Sequence, residues 1–261
     1  MPVLSPIDWH APWWLPWRNL GQQVAAQVQD GAAVHEALNA VSPENGMRFV
    51  PQSALQGGMA YEAFIFETRT VPTRDNLHDF FNGLAWLRFP RIKARLNALQ
   101  YAQIEKEGVS SQRSGQRGAV RDALTLFDEN AAFLCADLHA PVIAALRGHD
   151  WQSAFQTHRS LLAEHPPVLF GHALLEKLVS PYKSVVAHVF PAQSAMNSGV
   201  VSGAWGDLQR LDEAVAQQLS AAALQPKPFA PLPVLGVPAW WAQNESADFY
   251  ADSTVFRPPK A

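Results

Sequence analysis

The chain has 261 residues, a net charge of −3, 48% hydrophobic and 16% charged residues, and a single cysteine. Such a balance gives no reason to expect a nucleic-acid partner, and one cysteine excludes an intrachain disulfide or a thiolate zinc cluster. With no basic, apolar leader at the start and no apolar run of membrane-spanning length, no membrane association is expected, and a cytoplasmic location is.

Residues 1–18 carry Trp9, Trp13, Trp14 and Trp17, separated by Pro12 and Pro16. Prolines at that spacing oppose a regular helix and predict an extended arm that lays indoles onto the rest of the chain. Residues 19–225 are predicted to form a helical body. Within it, residues 20–41 read as helix broken near Gly31, residues 49–51 as extended, and residues 60–67 as a short element closer to helix than strand.

The polar chemistry concentrates on residues 73–86. Pro72 sets the approach, Thr73 or Asp75 is the expected N-cap, and Leu77, Phe80, Phe81, Leu84 and Leu87 recur at helical spacing. His78 and Asn82 stand four residues apart and share one edge of that stripe, while Asp79 lies further round. In the first helical turn the dipole disfavours imidazolium and favours carboxylate, so a neutral His78 beside an ionised Asp79 is expected. From Pro90 onward, Ile92, Leu96 and Leu99 predict a second amphipathic helix.

Residues 108–118 form a Gly/Ser-rich basic stretch, the expected mobile loop. Two apolar runs then flank Asp128-Glu129-Asn130, which predicts a β-hairpin near residues 119–135. Cys135 ends the second run and reads as a small buried hydrophobe, with no basic neighbour to activate it. Helices are predicted around residues 141–146, 151–162 and from Gly171, a strand over residues 184–190, and a helix over residues 208–224. Residues 226–261 are Pro-rich and read as an irregular tail packed on the body. The fold class is therefore mainly α with a small β component, an α+β chain in a single globular domain. Phosphate-loop, dinucleotide, HExxH and GxSxG signatures are absent from the sequence.

Several segments carry a family resemblance. They are Val71-Pro72-Thr73-Arg74 through His78-Asp79-Phe80-Phe81-Asn82 to Trp86, Phe89, Pro90, Lys93 and Asn97; Arg121 to Glu129; Phe170 to Lys177; and Leu232 to Pro238, with Phe249-Tyr250 and Val255 to Pro258. Together they resemble a largely bacterial family of proteins known as domain-of-unknown-function family 3025. The resemblance spans most of the chain, implies single-domain organisation and carries no activity with it.

The chemistry therefore rests on residue types. One expectation is a hydrolase for an anionic phosphate ester or amide, with a divalent cation as candidate cofactor. His78, Asp79, Asn82 and His172 are the candidate catalytic groups, and Arg74, Arg117 and Arg121 the candidate binders of a small-molecule anion. Asp122, Asp128 and Glu129 are the candidate metal ligands. The alternative is a non-catalytic protein- or peptide-binding module, since 20 prolines and nine tryptophans can build exposed aromatic surfaces. A cleft lined by His78 and acids would favour the first, and an exposed patch of Trp13, Trp14 or Trp240 the second. The bland reading is a buried polar network that only holds loops in place.

Overall fold

Helical periodicity dominates the chain, and the computed structural model bears this out over residues 4, 6–44, 46–55, 57–110, 118–193, 207–224 and 229–258, with the backbone alone of residues 107–110. Helices α1 (Arg18–Gln29) and α2 (Val34–Val41) are separated at Gly31, whose φ of 104° lies in the left-handed region open to glycine. Strand β1 (Arg48–Pro51) pairs in parallel with β2 (Thr70–Thr73), and α3 (Tyr61–Thr68) forms the crossover. Helices α4 (Leu77–Arg88) and α5 (Pro90–Ser110) follow, then α6 (Ala119–Asn130), which runs directly into β3 (Ala131–Cys135). The second half contributes α7 (Ala140–Arg147), α8 (Arg159–Glu164), β4 (Val168–Leu169), α9 (His172–Lys177), β5 (Val186–Ala192), α10 (Leu208–Gln218) and β6 (Ala230–Pro233).

The main sheet has the order β4-β3-β5-β6. Strands β3 and β5 are parallel, and the outer two strands run antiparallel to their neighbours. Every residue of β3 is buried, as its continuous Ala-Ala-Phe-Leu-Cys run requires of a central strand covered on both faces. The chain is thus mainly α with a small β component.

The expected hairpin is not formed. Ala123, Leu124 and Phe127 are the buried stripe of a helix, and Asp128-Glu129-Asn130 is its last turn. Three apolar positions that alternate poorly but recur at i, i+1 and i+4 fit period 3.6 better than period 2. The helix expected over residues 208–224 also stops earlier, at Gln218.

The N-terminal tryptophans are not strung out in an extended arm. Residues Pro12–Trp14 turn once as a 3-10 helix, and Trp13, Trp14 and Trp17 are buried. Trp14 stacks on Phe81 with centroids 5.4 Å apart, and the Trp17 indole donates to the Leu169 carbonyl at 3.1 Å. Trp13 meets Trp240 of the C-terminal segment edge-on at 6.4 Å. That segment is anchored in turn by Asn244, whose amide donates to the Leu235 and Val237 carbonyls at 2.8 and 2.7 Å.

Helix α5 is held from a distance. The buried Asp212 of α10 accepts from the backbone N–H groups of Arg91 and Ile92 at 3.0 and 2.8 Å, satisfying the first turn of a helix that starts on a proline. This fixes which face of α5 looks inward. Phe89, Ile92 and Leu96 point into the core, and Lys93, Asn97 and Gln100 are buried on the same side. A lysine has been placed on an apolar stripe, beside α4, α6 and α9.

Candidate functional site

The turn before α4 uses its polar residues to hold itself. Asn76, not Thr73 or Asp75, is the N-cap, its side chain accepting from Asp79 N–H at 2.8 Å. Asp79 turns back on Arg74, accepting from its backbone N–H at 2.6 Å, Nε at 3.0 Å and Nη2 at 2.9 Å. Such a paired, buried carboxylate holds the Arg74 guanidinium above its ordinary pKa. Asp75 accepts from Val34 N–H at 2.8 Å and so caps α2. Asp79 is thereby a clamp, and His78 is left to face the other way.

His78 faces α9. Its Nδ1 lies 2.9 Å from Glu176 Oε2, and its Nε2 lies 3.1 Å from Nε2 of His172. His172 and Glu176 are four residues apart on α9, so one helix face presents both. The rings are nearly perpendicular, at 81°, with centroids 4.6 Å apart. Close seating of α9 depends on Gly171, where an added Cβ would lie 2.3 Å from the Glu129 carbonyl oxygen. Sidedness is clear: the His78 and Glu176 side chains are 36% and 40% exposed, and that of His172 is 8%.

Behind His172 the network continues inward. Asp128 Oδ2 sits 3.8 Å from His172 Nδ1, beyond hydrogen-bond reach, and Nδ1 is buried without a hydrogen-bond partner. The other Asp128 oxygen accepts from Lys93 Nζ at 2.6 Å, and Lys93 also donates to Asn82 Oδ1 at 2.8 Å. The Asn82 amide donates to the Tyr61 hydroxyl at 3.0 Å, which donates to the Pro72 carbonyl at 3.2 Å. The ammonium also lies 5.5 Å from the centre of the Trp86 ring, a cation–π contact. A pocket of about 20 Å³, room for one water-sized group, is lined by Tyr61, Trp86, Lys93, Asn97, Gln100 and Asp128 among others.

Burial and charge set the protonation states. Burial drives the His172 imidazole down to about 4, a pull that the nearby Asp128 carboxylate only partly opposes. It is therefore neutral at pH 7. Burial alone would raise the Asp128 carboxyl, but the Lys93 ammonium, with His172 and His78, outweighs it and holds the group below its usual range. Burial, with Asp79 and Asp128 nearby, raises the Tyr61 phenol, which stays protonated. Besides the two imidazoles, the contacts join the Asp128 and Glu176 carboxylates to the network through Lys93 and His78, while Asp79 is paired with Arg74 alongside it.

Against known proteins, a family model described as a protein of unknown function, DUF3025, matches residues 47–260, most of the chain. The chain belongs to the DUF3025 family. No curated protein and no solved structure matches it. The matched span of this DUF3025 chain contains every residue of the network, from Tyr61 to Glu176.

Of the residues singled out by sequence, the structure brings His78, Asn82, His172 and Asp128 into one connected network. It leaves others out. Asp79 is committed to Arg74, whose guanidinium stays more than half exposed beside the site. Asp122 is exposed on α6 and Glu129 is only half-buried; three ligating His, Cys, Asp or Glu side chains converge nowhere among the described residues, so Asp122, Asp128 and Glu129 do not form one ligand set. Arg121 is half-buried on α6, engaged in contacts of its own. Arg117 and most of the loop expected over residues 108–118 lie outside the described residues. Sequence reasoning missed Lys93, Glu176 and Tyr61 as members of the network. The signals were a lysine on the apolar stripe of α5 and a carboxylate four residues after His172. Among the described residues no helix is long and apolar enough to cross a membrane.

Proposed function

We propose that this DUF3025 protein is a hydrolase-type enzyme acting on a small anionic substrate, a phosphate ester or amide, by proton transfer at His78. The observation that carries this reading is the 3.1 Å contact between the two Nε2 atoms, with carboxylates at the far sides of both rings. Two imidazole nitrogens at that distance share one proton. When the pair is neutral, His78 donates Nδ1–H to Glu176 and His172 donates Nε2–H to His78. When the pair holds one proton more, the three protons lie on His78 Nδ1, between the two Nε2 atoms, and on His172 Nδ1, facing Asp128. His78, at the exposed end, is thus the group that gives or takes a proton from substrate, and His172 is its buried relay. Glu176 and the Asp128–Lys93 pair orient the two rings. The exposed part of the Arg74 guanidinium, held rigid by Asp79, supports an anionic substrate.

The binding-module alternative has less support, because Trp13, Trp14 and Trp240, the indoles it needs at the surface, are buried. A panel of small phosphate esters and amides, assayed with wild type and His78→Gln, tests the reading. Loss of about 10²–10⁴-fold in turnover is expected for the variant, with unchanged circular dichroism. Equal turnover by wild type and variant, or none by either, rejects it.

A further inference from the structure

We infer that the His78 and His172 Nε2 atoms form a two-imidazole site for a borderline transition-metal ion such as Zn²⁺, with its remaining positions left to water and substrate. The inference rests on the same site as the proton-transfer reading and gives it a cofactor: with the ion bound, both Nε2 atoms are ligands and a metal-bound water takes over the proton transfer. Three observations carry it.

The first is the partner set of the four ring nitrogens. A shared proton between two neutral rings leaves His172 Nδ1 as a bare lone pair, buried and without a hydrogen-bond partner, turned toward the Asp128 carboxylate at 3.8 Å. An ion bound by both Nε2 atoms reverses that mismatch. Each Nδ1 then carries its proton, His78 donating to Glu176 and His172 turned toward Asp128, so all four nitrogens face complementary groups with both rings neutral. Carboxylates behind the ligating imidazoles are the outer-shell arrangement that fixes ring orientation and raises ligand basicity at metal sites.

The second observation is distance. With metal–nitrogen bonds of about 2.05 Å, nitrogens 3.1 Å apart subtend an angle of roughly 100° at the ion, between octahedral neighbours and the tetrahedral value. The centroids, at 4.6 Å, are closer than two rings meeting head-on across that nitrogen contact would be, so at least one ring nitrogen points off the line joining them. That offset lets the two ring lone pairs converge on one ion beside the contact. The third is charge. The Glu176 and Asp128 carboxylates flank the two rings on their far sides, so a cation held by the Nε2 atoms sits between two negative groups. Imidazole donors select zinc, copper or nickel over magnesium.

Tag-free wild type, His78→Ala and Glu176→Gln, each stripped with chelator, are titrated with Zn²⁺ and with Mg²⁺ by calorimetry. Cu²⁺ paramagnetic resonance then reads the number of bound nitrogens. His78 is part-exposed, which spares the core in that variant. Saturable binding of one Zn²⁺ per chain is expected, with little or no Mg²⁺ binding and two nitrogens on copper. Affinity should fall at least about tenfold in Glu176→Gln and further in His78→Ala. Absence of Zn²⁺ binding by wild type, equal affinity in His78→Ala, or Mg²⁺ bound as well as Zn²⁺ each overturns the site. The two readings fail separately: turnover that needs His78 but survives chelator removes the metal and keeps proton transfer. Zn²⁺ bound through His78 with no turnover of any ester or amide does the reverse.

Discussion

Lowering the pH should reveal His172 before any carboxylate responds. Its folded-state value is about 4 against 6.5 for an ordinary imidazole, because burial penalises the charged form. Above pH 6.5 neither the folded nor the unfolded chain holds a proton there, and the full stability is present. Below it the unfolded chain binds a proton that the folded chain refuses, and stability falls at up to about 1.4 kcal/mol per pH unit. The loss reaches about 2 kcal/mol by pH 5 and about 3 kcal/mol once the pH has passed the folded value. Urea unfolding of wild type and His172→Asn, at pH 7.5 and pH 5, isolates this residue. Other groups, including His139, which burial also depresses, remain in both proteins and cancel in the difference. Asp128, held below its usual range, titrates under the pH window used. His172→Asn should be the less stable protein at pH 7.5, and the gap should narrow by about 2 kcal/mol at pH 5. Two curves that stay parallel from pH 7.5 to 5 would refute the argument that burial keeps His172 neutral.

Two further outcomes test the scaffold around that histidine. Lys93→Met strands the Asp128 carboxylate without its ammonium, and chemical denaturation should show a loss on the order of 3–5 kcal/mol, most of it restored by adding Asp128→Leu. Gly171→Ala drives a methyl group into the Glu129 carbonyl; since φ at Gly171 is −58°, the cost is the clash alone, expected at about 1–3 kcal/mol in the same assay.

Much of the helical architecture was legible because the helices bury one face each, so apolar spacing maps onto packing. The apolar run Leu77, Phe80, Phe81, Leu84 announced α4, and Ile92 and Leu96 announced α5. The hairpin reading failed where spacing is least informative. Residues 123–127 and 131–135 are both short and both apolar, and only tertiary position makes the first a helix and the second a central strand. The N-cap was likewise misplaced: Thr73 or Asp75 was expected, and Asn76 takes the role. All three residues have cap-forming side chains, and the outcome depends on Asp75 being drawn away to α2.

The site was legible only in its outer parts, for a physical reason. His78 and Asn82 stand out because a polar pair on an otherwise apolar helix must be explained within that helix. Glu176 and Lys93 carried only weak local signals, a carboxylate four residues after His172 and a lysine on the apolar stripe of α5. What makes Lys93 a core residue is the rotation of α5 about its axis, fixed by Asp212 from 120 residues away. What brings Glu176 to His78 is the seating of α9 against α6, fixed by the missing side chain at Gly171. A long-range cap and a glycine contact therefore set the register of two helices, and that register converts charges into a connected network. The same reasoning ranks the residues. Asp212 and Gly171 position the network without touching it, Lys93 neutralises Asp128 within it, and His78 combines an exposed edge with a titratable nitrogen.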